Sequence, residues 1–145
     1  MKRLFKIYMA AFAVLAVVAI AFGMVGISKQ KSHVYLLPSG FTGWVEIQYN
    51  QVNRPALPKE GEAFVHKIPD SGVLQTSNPP TAGGMNFYYE GELGKRIEIN
   101  PGMIHGQSMG TKTIKLHEGR TERIDVNTFF VGPEQLYSDH RLKTP

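Results

Sequence analysis

Two hydrophobic regimes divide this chain. Residues 7–28 form one run without a charged side chain, set behind Lys2, Arg3 and Lys6. Beyond residue 31, apolar and polar positions alternate in short stretches, broken every 8–15 residues by Pro, Gly, Asn or Ser. The first regime predicts a helix of about 30 Å, the thickness of a bilayer's hydrocarbon core. It offers no polar face to water, which argues against a buried core helix. The second regime has the period of two that marks half-buried strands.

The strands can be placed in order. Residues 33–37 are β-branched, aromatic and aliphatic, and stop at Pro38-Ser39-Gly40. Residues 43–49 alternate, with Val45, Ile47 and Tyr49 on one face and Trp44, Glu46 and Gln48 on the other. Trp44 is then either a sheet-edge contact or part of a second packed layer. Further strands are predicted at residues 62–68, 73–76, 85–90 and 96–100, with loops at 50–61 and 77–84. Residues 106–110 read as a break. The clearest hairpin joins 111–117, burying Ile114 and Leu116, to 122–131 through Glu118-Gly119-Arg120. Residues 134–140 are expected to form one helical turn. About eight strands with almost no helical periodicity predict an all-β fold, a small antiparallel β-sandwich of seven or eight strands.

Charge changes the picture in one respect. The chain carries a net +4, yet residues 32–145 hold 11 Lys and Arg against 12 Asp and Glu. The basic excess belongs to the flanks of the apolar run, so the domain lacks the basic face that nucleic-acid binding needs. No nucleic-acid partner is expected. The chain has no cysteine, which excludes disulfides, thiolate catalysis, Cys-ligated zinc and a lipid-modified cysteine.

Two segments follow: residues 1–31 as an anchor or signal peptide with its linker, and residues 32–145 as one exported domain. Small residues before Phe22 and Met24 permit cleavage after Ala21 or Gly23, which would make the protein secreted. The apolar run continues past both sites, longer than a signal h-region, and favours an uncleaved single-pass anchor. Lys2, Arg3 and Lys6 outnumber Lys29 and Lys31, placing the N-terminus in the cytoplasm and the domain outside the cell membrane.

With these strands in hand, the run from Tyr35-Leu36-Leu37-Pro38-Ser39-Gly40 to Trp44-Val45-Glu46-Ile47-Gln48-Tyr49 resembles the opening of an uncharacterised family of bacterial exported and lipoprotein-type β domains. Ile68-Pro69-Asp70-Ser71-Gly72, Tyr88-Tyr89 and Phe129-Phe130-Val131-Gly132-Pro133 match later segments of that family. The resemblance covers roughly residues 34–133. It implies a small β domain behind a signal or anchor, with no assigned activity. The chain departs from the lipoprotein members in lacking their cysteine. A weaker, architectural likeness is to transthyretin-like sandwiches. The matched glycines and prolines have turn-forming rather than chemical character.

Candidate chemistry is sparse. His33, His66, His105, His117 and His140 show no i, i+4 pairing of the zinc-protease kind, and scattered surface histidines are expected rather than a metal site. His105, His117 and Glu118 define the alternative of a metal-dependent hydrolase. Gly106-Gln107-Ser108-Met109-Gly110 has the spacing of a nucleophile elbow, but a strand rather than a helix follows it. Glu90, Glu92, Glu98, Glu118 and Glu122 could pair as acid and base in a glycosidase-like cleft, but solvated strand faces and turns are the expected reading. No phosphate-cradling glycine loop is present and no cofactor is expected. Aromatic residues are the more suggestive group. Most should fill the core, and if any form an exposed binding patch it should be Trp44 with Tyr88 or Tyr89. The sequence therefore favours a non-catalytic binding or accessory domain at the bacterial surface, taking a protein or glycan ligand. A third reading is a structural subunit docked in a membrane complex through its apolar helix.

Overall fold

The computed structural model describes residues 31–142; the apolar run, with the anchor, signal and docking readings that rest on it, lies outside them. Among the described residues, no helix is long and apolar enough to cross a membrane.

The described chain contains nine strands and one α-helix. They are β1 (Lys31–Pro38), β2 (Gly43–Gln48), β3 (Lys59–Glu60), β4 (Ala63–Lys67), β5 (Val73–Gln75), β6 (Gly83–Glu90), β7 (Arg96–Glu98), β8 (Ile104–Lys115), β9 (Thr121–Val131) and α1 (Glu134–Leu142). A five-stranded sheet runs β3-β4-β1-β6-β7, and a four-stranded sheet runs β5-β2-β9-β8. The all-β sandwich expected from the sequence is present. Its pairing is mixed rather than purely antiparallel, because β1 runs parallel to both β4 and β6, and β2 runs parallel to β5.

The central position of β1 explains its sequence. A strand flanked on both sides and covered on both faces needs a near-continuous apolar run. Tyr35 and Leu37 face the other sheet, while Leu36 on the opposite face is also buried. In β2 the predicted alternation holds, with Val45, Ile47 and Tyr49 buried and Trp44 41% exposed. The core joins these to Ile68, Ile99, Phe129 and Val131, with Phe87 and Tyr89 packed against it. Tyr35 is its hub: Phe87 stacks on its ring at 4.9 Å, and Phe129 meets it edge-on at 5.4 Å.

Three local differences from the sequence reading have physical causes. Residues 106–110 do not break the strand, because a bulge between His105 and Ser108 absorbs the extra residue and β8 continues. Gly106 makes this possible with φ +60°. At the distal end of the hairpin Ile114 is half-buried and Leu116 is 39% exposed, since the opposite sheet does not cover them as predicted. Finally, the single expected turn at 134–140 is a nine-residue helix. It covers the outward face of the four-stranded sheet, where Trp44, Phe130 and Tyr137 pack edge-on or tilted at 5.6–6.0 Å. That face is the second packed layer to which Trp44 belongs.

Candidate binding cleft

The bulge in β8 shapes the open side of the sandwich. β8 is an edge strand of its sheet, and β6 lies near the edge of the other. Gln107, left unpaired by the bulge, faces Met85 on β6 across a cleft. The cleft has two lobes of about 350 and 280 Å³ that share Met85 and Gln107. The larger is lined by Asn86, Phe87, Glu98, Ile99 and Ile104. The smaller reaches His33, Tyr35, Tyr49, Thr81, Ser108 and Asn127.

At the floor of the smaller lobe sits a buried polar cluster. His33 and His66 come from parallel neighbours, β1 and β4, and their Nδ1 and Nε2 atoms lie 3.1 Å apart. They are 4% and 0% exposed. His33 Nε2 is 3.4 Å from Thr81 Oγ1. His66 stacks flat on Tyr35, with ring centroids 4.4 Å apart, and its Nδ1 has no hydrogen-bond partner among the described residues. One proton is shared between the two rings. If His66 Nε2–H donates it, His33 can donate onward to Thr81, and the unmet atom is a lone pair rather than a buried N–H, the rarer of the two omissions. Burial, reinforced by His33, holds the His66 imidazole down at about 3. Burial likewise lowers His33, against opposing hydrogen bonds at Ala82 and Thr81. Both rings are therefore neutral at ordinary pH.

Beside them, Asn127 Nδ2 donates to Tyr35 Oη at 3.4 Å. Burial pushes the Tyr35 and Tyr49 phenols upward, so both stay protonated. The smaller lobe thus presents hydroxyls, an amide and neutral imidazole, each able to donate or accept. It presents no fixed charge.

The structure does not assemble the sites expected from sequence. His105 Nδ1 pairs with Glu134 at 3.0 Å, its Nε2 lies 2.9 Å from the Gly132 carbonyl, and its ring stacks on Tyr137. It is a clasp for α1. Glu118 lies in the turn at the far end of β8, paired with Arg120 at 3.6 Å. That turn, which also contains His117, is roughly 35–40 Å from His105 by strand rise. The hydrolase constellation of His105, His117 and Glu118 does not converge. Among the described residues, no group of three His, Asp or Glu side chains is placed to hold a metal. Ser108 is in a strand opposite Thr128, without the helix a nucleophile elbow requires.

The expected patch of Trp44 with Tyr88 or Tyr89 does not form either. Trp44 faces outward from the four-stranded sheet toward Phe130 and Tyr137. Tyr89 turns inward, and its hydroxyl donates to the Phe41 carbonyl at 3.2 Å. Tyr88, its strand neighbour, faces the outer side of the five-stranded sheet opposite Glu98. The expectation of scattered surface histidines fails at His33 and His66, which sequence reasoning missed as a pair. Their separation by 33 positions and parallel pairing leave no local signal.

Fold and cleft together define a two-sheet all-β domain with a polar cavity between its sheets. The chain belongs to the family of unknown function DUF6843, whose model matches residues 29–140. This bears out the likeness to an uncharacterised domain family. A solved crystal structure, described as a "Putative Lipoprotein from Bacillus anthracis", is similar in fold at 23% identity and a TM-score of 0.58, covering 72% of this chain and 71% of that one. Comparison with curated proteins gave no match.

Proposed function

We propose that this protein is a non-catalytic binding or accessory module at the bacterial cell surface, and that the inter-sheet cleft receives its protein or glycan ligand. The observation that carries this reading is the cleft itself, a concave site with convergent neutral hydrogen-bonding groups on rigid strands. Its location agrees with the uncharged run at residues 7–28, which would deliver the domain across a membrane. The lipoprotein description of the structural relative points the same way. His105, one member of the hydrolase alternative, is occupied in holding α1.

The test uses the full chain. Protease added to intact expressing cells should digest the domain. Purified protein should be retained on cell-envelope material, and Met109→Trp, which places an indole at the smaller lobe from the exposed position opposite Asn127, should abolish retention without changing the melting temperature. Protection until the cells are lysed, or equal retention of wild type and variant, would overturn the reading.

A further inference from the structure

We propose that the cleft is a two-subsite receptor for an uncharged oligosaccharide segment, one sugar ring in each lobe. This rests on the binding reading above and narrows it to a ligand class.

Chemistry selects the class. Tyr35, Tyr49, Thr81 and Asn127 offer hydroxyls and an amide, groups that donate and accept in the same places, as sugar hydroxyls do. A charged ligand entering this lobe would shed its hydration and meet no countercharge. The other lobe has an apolar wall of Phe87, Ile99 and Ile104, on which the C–H face of a pyranose can lie, with Gln107 as its polar border toward the first lobe.

Size and spacing select the length. Each lobe, about 280 and 350 Å³, lies at the small end of ligand pockets, which run from roughly 300 to 1,000 Å³. Because the lobes share Met85 and Gln107, their occupants are adjacent, as linked rings must be. A peptide would instead be expected to exploit a free strand edge through its backbone. Here the convergent groups are side chains beneath the edge. The 3.4 Å bond from Asn127 to Tyr35 is long enough to be exchanged for a ligand hydroxyl at little cost.

Titration calorimetry of the full chain with neutral linear tetrasaccharides, one of glucose and one of N-acetylglucosamine, tests the assignment. At least one should bind about tenfold or more tightly than its monosaccharide, since two subsites act together. Gln107→Ala should weaken it about tenfold, near 1.4 kcal/mol. Met109→Trp should abolish binding, and an oligouronate of the same length should not bind. Equal affinity for mono- and tetrasaccharide, or no saturable binding of either tetrasaccharide, would overturn the proposal. If the tetrasaccharides fail while Met109→Trp still releases the protein from envelope material, the ligand is of another class, such as a peptide, and the binding module stands. If Met109→Trp is silent in both assays, both readings fall.

Discussion

His66 makes the stability of this domain fall with acid in a calculable way. Its imidazole sits at about 3 in the folded chain, against 6.5 when exposed. The unfolded state therefore binds the proton more tightly. Between these two values, each unit of falling pH removes about 1.4 kcal/mol of stability. Above pH 7 the effect is absent; from pH 7 to pH 5 it reaches about 2 kcal/mol. This range stays above the ordinary carboxylate values, so acidic side chains add little. For a domain of this size the loss corresponds to roughly 8–10 °C in melting temperature. His66→Gln removes the titration while keeping an amide near His33 Nδ1, 3.1 Å from the ring it replaces. Urea unfolding at pH 7, 6 and 5, followed by circular dichroism, should show a wild-type loss exceeding that of the variant by about 2 kcal/mol. Parallel pH dependences in the two proteins would refute the argument that His66 is buried and neutral.

Other perturbations probe the frame around the cleft. Phe129→Ala should cost about 3–5 kcal/mol in denaturant unfolding, because the 1%-exposed ring meets both Tyr35 and Phe87; a loss below 1 kcal/mol contradicts the packing. Gly106→Ala forces a side chain into φ +60°, with its Cβ 2.7 Å from the Tyr137 hydroxyl. It should cost about 1–3 kcal/mol and change the emission of Trp44, the one tryptophan in the chain, as α1 shifts. Glu134→Gln should leave global stability within about 1 kcal/mol, because this carboxylate is 73% exposed, yet speed amide exchange across residues 134–142. A large global loss there would mean that the clasp matters more than an exposed ion pair can.

What the sequence disclosed follows from locality. Alternation at Val45, Ile47 and Tyr49 placed the inner face of β2 correctly, and it put Trp44 outside the core. The same rule already separated Tyr88 from Tyr89, since consecutive strand residues face opposite ways. Leu136, Tyr137 and His140 have helical spacing, and the turn expected at 134–140 marks the place of α1 while understating its length. The cleft was harder to see. It depends on β1 lying between β4 and β6, and on a bulge turning a glycine-rich segment into strand. Neither parallel strand order nor the meeting of His33 with His66 leaves a periodic trace in the chain.

The account depends most on the inter-sheet cavity being the place where ligand lands. Backbone amide NMR of the full chain during titration with a neutral tetrasaccharide reads this directly. Shifts concentrated at Gly83, Met85, Gln107, Ser108 and Asn127 are the predicted result. Shifts confined to the outward faces around Trp44 or Tyr88, with those five amides unmoved, would contradict it.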